Sequence, residues 1–250
     1  MASVGCLTAT AVVAGALLLF KITAPAHLGL PAARPQESPA GVAAPSDQLA
    51  RTCQVPGKQG TARPPAGVWV VAGGSQAGYR AREKWAELPS PHEAVARTDR
   101  VAGWLSIRGE TTALTLDGGC FAVDLRTLRS LDTVPGRTMS DRDENVRGFL
   151  DTDHHPAARF LPHPIALPGS VVDGQVVALE VPGEVEVKGI RRPATATMQI
   201  RYGADSTGVA GSLPVLAEDH GIELPKAGDF VAVDPRITVE FALALRPLKR

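Results

Sequence analysis

Five stretches of this chain alternate apolar and polar residues with a period of two, and that rhythm restricts the fold more than any other feature. Ala77, Tyr79, Ala81 and Trp85 alternate with Gly78, Arg80, Arg82 and Lys84. Phe121, Val123 and Leu125 alternate with Ala122 and Asp124, and Val185 and Val187 with Glu184, Glu186 and Lys188. Ala194, Ala196, Met198, Ile200 and Tyr202 alternate with Thr195, Thr197, Gln199 and Arg201. Ile237, Val239, Phe241, Leu243 and Leu245 do the same with Arg236, Thr238, Glu240 and Arg246. On an extended chain this gives one apolar face and one wet face. Turn signals such as Gly73-Gly74, Asp117-Gly118-Gly119, Pro182-Gly183 and Gly228-Asp229 separate the runs. Many short strands of this kind make an all-β sandwich or an up-and-down barrel over residues 67–250. Ser140 to Leu150 breaks the rhythm, and Ser140 with Asp143 has the form of a capping box, so a short helix is expected there.

The first 66 residues read differently. Val4 to Ile22 is apolar apart from Lys21 and is about as long as a bilayer-spanning helix, ~20 residues. Residues 1–22 are therefore read as a membrane anchor, a transmembrane helix with the domain outside. Ala24-Pro25-Ala26 also has the small-x-small form of a cleavage site, so secretion after cleavage near Ala26 is the alternative. Residues 23–66 scatter Pro25, Pro31, Pro35, Pro39, Pro45, Pro56, Pro64 and Pro65 among small and polar residues. Such a segment buries too little apolar surface to offset its ordering entropy, which predicts an extended, disordered tether. The expected location is the cell membrane, single-pass, with the domain on the extracytoplasmic side.

Lys plus Arg number 26 and Asp plus Glu number 26, a balance that gives no electrostatic footprint for nucleic acid. Cys6 lies in the hydrophobic N-terminus, which leaves Cys53 and Cys120 as the one candidate disulfide. They bridge if the domain sits in an oxidising compartment and are otherwise two free thiols.

Two segments carry a resemblance. Ser140–Phe160, SDRDENVRGFLDTDHHPAARF, resembles the Arg-Asp…Phe…Asp…Pro…Phe signature of the YceI-like family. Gly183–Thr197, GEVEVKGIRRPATAT, resembles that family's Gly-x-Leu-Thr…Gly-Val-Thr-Arg-Pro-Val hairpin, and the order holds over residues 67–245. The resemblance implies an extended, eight-stranded, antiparallel lipocalin-like barrel with a long apolar cavity for a polyisoprenoid or related amphiphile. The chain departs from the pattern where Glu83 stands in the place of a first-strand His, and where Glu144-Asn145 replace the His expected after Arg-Asp.

A closed eight-stranded barrel is just wide enough to be filled by side chains or to hold one small ligand. Small inward candidates such as Ala77, Ala81, Gly103, Ala194, Ala196 and Gly211 favour a ligand, while Trp69, Trp104 and Phe241 could fill the space instead. The nominated ligand contacts are Trp69, then Tyr79, Ala81 and Glu83 from the run that matches the family's first strand, Arg142, Phe149 and Phe160 from the signature, and Ala196, Met198 and Phe241 from later strands. Arg142 and Asp143 read as a structural ion pair near the barrel mouth, or Arg142 as the contact to a ligand head.

No metal site and no cofactor are expected. His154, His155 and His163 sit in a polar loop, where adjacent histidines of an extended chain point to opposite faces. Asp141, Asp143 and Asn145 lack the glycine and the twelfth acidic residue of a calcium loop. No nucleophile, base and orienting acid assemble, so the chain is not expected to be an enzyme. The leading reading is a carrier or sequestering barrel for an isoprenoid-like lipid at the outer membrane face. The alternatives are an envelope interaction module with a filled barrel and, more weakly, a lipid-modifying enzyme. Whether the domain forms a homodimer is left open.

Overall fold

The structure, a computed structural model, describes residues 24–31, 47–55, 65–88, 91–110, 113–226 and 230–248. The anchor expected over residues 1–22 lies outside them. Among the described residues no helix is long and apolar enough to cross a membrane.

The strands are β1 (Gly67–Val71), β2 (Gln76–Trp85), β3 (His92–Thr98), β4 (Val101–Glu110), β5 (Ala113–Asp124), β6 (Arg129–Ser130), β7 (Ala157–Pro162), β8 (Ile165–Leu167), β9 (Val176–Val187), β10 (Ile190–Arg201), β11 (Thr207–Leu216), β12 (Val231–Val233) and β13 (Arg236–Pro247). Among the described residues two α-helices, α1 (Asp47–Thr52) and α2 (Met139–Phe149), accompany them. β1 and β2 are halves of one barrel strand, because both pair with β13, Val71 opposite Leu245 and Ala77 opposite Phe241. β3 with β4, and β7 with β8, are broken strands of the same kind. The eight composite strands therefore follow one another antiparallel and close first to last. The eight-stranded closed barrel is the architecture that the resemblance implied.

Local chemistry explains the register. β9 and β10 pair over their full lengths from Val187 opposite Ile190 to Val176 opposite Arg201. Lys188 and Gly189 between them both have positive φ, 51° and 73°, which is the two-residue hairpin turn whose twist matches that of the flanking strands. The inward phase of β2, β5, β9, β10 and β13 is the one the alternation predicts. Trp69, Val101, Val209, Leu243 and Leu245 make one buried cluster inside the barrel, and Phe160, Val185, Ala196 and Leu213 belong to a second.

One inward assignment is overturned. Trp104 lies opposite Val70, one residue out of phase with Trp69, and points outward. There it packs with Ala102, Cys120 and Ala122 against Leu49 and Cys53. This outer patch is covered by α1, inside the stretch that reads as an extended tether. Six residues are too few for helical periodicity to show in a sequence. Cys53 is bonded to Cys120, with Cα atoms 5.4 Å apart, so the candidate disulfide forms.

Residues 24–31 lie across another part of the outer wall. Arg80 donates to the Pro25 carbonyl at 2.6 Å, Arg97 donates to the Ala26 carbonyl, and His27 contacts Glu240. Glu240 also accepts from Arg80 at 2.7 Å, and both are almost fully buried although they point away from the barrel interior. Replacing both Cys53 and Cys120 with Ala removes a cross-link between residues 67 apart. That should lower unfolding free energy by about 4 kcal/mol on the chain-entropy scale, read as an earlier urea midpoint against the oxidised wild type. An unchanged midpoint would mean that α1 adds nothing to the domain.

Candidate functional site

The barrel interior holds two apolar chambers in line. The larger, ≈390 Å³, is bordered by Tyr79, Ala81, Trp85, Phe149 and Leu150, and the smaller, ≈140 Å³, by Trp69, Phe160, Met198, Tyr202 and Phe241. Ala77, Val123, Ala158, Val187 and Val239 border both, so the two meet in the middle of the barrel. Five strands, β2, β5, β7, β9 and β13, each contribute one small or branched side chain to this junction, where a ring would block it. The smaller end is sealed by Trp69, which is 1% exposed, stands edge-on to Tyr202 at 5.8 Å and donates from its indole N–H to the Pro65 carbonyl at 2.9 Å. The larger end is covered by α2, which brings Arg142, Val146 and Phe149 over the chamber.

The polar groups gather at that α2 end, around Asp132. Its Oδ1 accepts from the Val95 backbone N–H at 2.8 Å and from Arg142 Nη2. Its Oδ2 accepts from Arg142 Nη1 at 2.8 Å and shares a hydrogen bond with His92 Nε2 at 2.6 Å. Burial alone would raise the Asp132 pKa, but the bonds from His92 and Arg142 outweigh it and hold the carboxyl below the usual carboxylate range. Arg142 Nε donates to Ser130 Oγ at 3.1 Å, and its Nη1 also reaches Glu83 Oε2 at 3.4 Å. The same Glu83 oxygen accepts from the Trp85 indole N–H at 3.0 Å. Burial pushes the Glu83 pKa up, only partly offset by Arg142 and by the bond from Trp85. Burial likewise raises the Tyr79 phenol, against the pull of Arg142, so its hydroxyl stays neutral.

Of the nominated contacts, Tyr79, Ala81, Glu83, Arg142 and Phe149 border the larger chamber and Trp69, Phe160, Met198 and Phe241 the smaller. Ala196 is set apart. It points inward but is fully buried among Phe160, Val185 and Leu213, away from the open space. The Arg142–Asp143 pair is not formed. Asp143 instead accepts from the Ser130 backbone N–H and hydroxyl at 2.9 and 2.6 Å, and Thr138, not Ser140, precedes the helix, without a side-chain cap. Asp132 and His92 are the functional-end residues that sequence reasoning missed. The single available signal was His92 facing Glu83 across the β2–β3 pair, and it requires the register to be known. Among the described residues no group of three or more His, Cys, Asp and Glu could hold a metal.

A family model described as the YceI-like domain matches residues 117–245. Among solved structures, the chain is similar to a polyisoprenoid binding domain from Saccharophagus degradans implicated in plant cell wall breakdown. The identity is 16% and the TM-score 0.51, over 73% of this chain and 99% of that one. BcnA of Burkholderia cenocepacia aligns at 17% identity and a TM-score of 0.47, over 67% of this chain and 95% of that one. No curated protein matches the chain.

Asp132→Asn removes the charge that compensates Arg142, and breaking a buried pair in this way costs roughly 3–5 kcal/mol. Because the folded-state pKa of Asp132 is depressed, its stabilisation is complete above the unfolded value near 4 and is lost progressively as pH falls toward the folded value. Urea midpoints of wild type and variant should therefore differ most at pH 6–7 and draw together below about pH 4. A gap that does not depend on pH would contradict the assignment.

Proposed function

The chain belongs to the YceI-like family, and on that premise we propose that its barrel binds a single-chain lipid, a polyisoprenoid or similar amphiphile. The observation that carries the reading is the pair of communicating apolar chambers with the buried Glu83, Asp132 and Arg142 set at one end. The larger chamber falls within the ~300–1,000 Å³ of small-molecule sites, which are mostly apolar with a few placed polar groups. A chain-like molecule fits this shape, with its tail along the junction toward Trp69 and its head beneath α2. The similar Saccharophagus degradans domain is described as polyisoprenoid binding, and the proposal extends that ligand class to this chain.

We further propose that the domain acts as a carrier or sequestering protein on the extracytoplasmic face, held by the apolar stretch before Thr23. The Cys53–Cys120 bond supports an oxidising compartment, where such bonds persist.

Organic extraction of the purified full chain, followed by mass spectrometry, should yield one lipid species in near-stoichiometric amount. Ala81 borders the larger chamber and is the wall position to enlarge. Ala81→Trp should abolish lipid co-purification while the urea midpoint moves little, because the ring occupies space that the wild-type side chains leave open. Ala196→Trp, in the packed region, should instead cost roughly 1–3 kcal/mol or more. An extract free of lipid, together with a strongly destabilised Ala81→Trp, would establish a filled barrel and end the lipid reading.

A further inference from the structure

The outer wall carries a buried charge pair, and residues 24–31 are fastened over it. Arg80 and Glu240 point away from the interior, yet each is almost fully buried. Arg80 spreads its three nitrogens over three partners. Its Nε donates to Glu240 and its Nη1 to Glu93, both at 2.7 Å, and its Nη2 donates to the Pro25 carbonyl at 2.6 Å. Arg97 donates to the next carbonyl, that of Ala26, and Glu240 also meets His27. At the other end of the segment Leu30 and Pro31 lie over Gly208 of β11, where an added Cβ would meet the Pro31 carbonyl oxygen at 3.4 Å. The segment is a strap, running from β2 and β3 across β13 to β11.

The strap begins where the apolar stretch ends. Ile22 closes that stretch, and Pro25 is already against Arg80. An extended residue spans at most ~3.6 Å, so the wall lies within about 11 Å of the end of the stretch. The headgroup layer on each side of a bilayer takes up roughly 5–8 Å. A free tether over residues 23–66 would instead reach roughly 140 Å in polyproline II geometry.

The flank beside the strap has the charge for such a neighbour. Arg82 and Lys84 continue the outward face of β2 beyond Arg80, Arg236 opens β13, and Arg129 faces Arg97 across the β3–β6 pair. All four are exposed, and Arg82, Lys84 and Arg236 have no ion pair among the described residues. The carboxylates nearby are Glu93 and Glu240, held by Arg80, and Glu218 and Asp234, which share a shallow surface depression with Arg82, Lys84 and Arg236.

We propose that residues 24–31 dock this flank onto an anionic bilayer surface, so that the barrel lies along the membrane and does not stand off on a stalk. This rests on the anchor reading above. The strap sets the distance to the lipid. The cations set which side of the barrel faces it, because each Lys or Arg near an anionic leaflet adds to the attraction. Cleavage after Ala26 would remove both carbonyls that Arg80 and Arg97 hold, and the domain would leave the surface.

The test uses the full chain with Cys6→Ser, so that, with Cys53 and Cys120 bonded, an introduced cysteine is the only free thiol. A spin label is attached at Arg236→Cys on the proposed face, or at Glu180→Cys on β9, across the ring from β2. The chain is reconstituted in vesicles of phosphatidylcholine with about one-third phosphatidylserine and a trace of nickel-chelating lipid, which relaxes only labels near the headgroups. The label at Arg236→Cys should be relaxed severalfold more than the label at Glu180→Cys. Arg82→Glu with Lys84→Glu should lower the ratio of docked to free domain about fivefold or more per cation lost. Arg80→Gln with Arg97→Gln releases the strap and should abolish the difference between the labels. Should that variant fail to fold, the two labels in the chain with an intact strap still decide. Equal relaxation of both labels in vesicle-inserted protein overturns the docking and leaves the anchor reading intact. A chain that does not float with the vesicles after an alkaline wash, or that is recovered from cells with His27 as its first residue, overturns both.

Discussion

Closure of the sheet between its first and last strands is the constraint on which everything else rests. β13 must satisfy β11 along one edge and β1 with β2 along the other, and it does so by dividing its length between them. An open edge would leave a row of backbone N–H and C=O groups facing water or a second chain. Closing it fixes the circumference at eight strands, and that circumference sets an interior about one ligand chain wide. The lateral pairing of backbones thus determines the dimensions of a space that only side chains touch.

Closure does not by itself keep the ends of the barrel apart in character. That falls to two local devices of opposite chemistry. At one end, Trp69 fills the section and ties its only polar atom to Pro65. At the other, Asp132 gathers the β3 backbone, His92 and Arg142 into one set of bonds, so that α2 brings the Arg142 charge over an apolar chamber with its partner already in place. The carboxylate is stable in its buried place because every neighbour donates to it. The interior is therefore polarised along its axis, with the Asp132 set at one end and Trp69 at the other.

The sequence spoke most clearly where one face of a strand sees the core and the other sees water. Tyr79, Phe121, Val185, Met198 and Phe241 could all be assigned inward from period two alone. It spoke least where an outward residue is covered by a remote segment. Glu240 and Arg80 look like solvated charges, yet residues 24–31 bury them, and Trp104 looks like core filling, yet it lies outside under α1. Alternation reports the face of a strand and carries no information about what lies over it. Asp132 was invisible for a related reason. It lies between β6 and α2, with no periodic pattern around it, and its contacts to His92 and Val95 span 40 and 37 residues. Arg142 was nominated but given the wrong carboxylate, because nearness in sequence favoured Asp143 over a partner ten residues away.

The bond between Cys53 and Cys120 also decides how the domain bears load. Cys120 lies within β5, which pairs with β4 on one side and with β7 and β8 on the other. Tension arriving from residues before Cys53 would first peel residues 24–31 from Arg80, Arg97 and Glu240, and would then pass through sulfur into the middle of the wall. β1, the strand that follows directly in sequence and would otherwise unzip from one end, is relieved of the pull. The barrel would be suspended by its flank, and its closing seam would carry no mechanical stress.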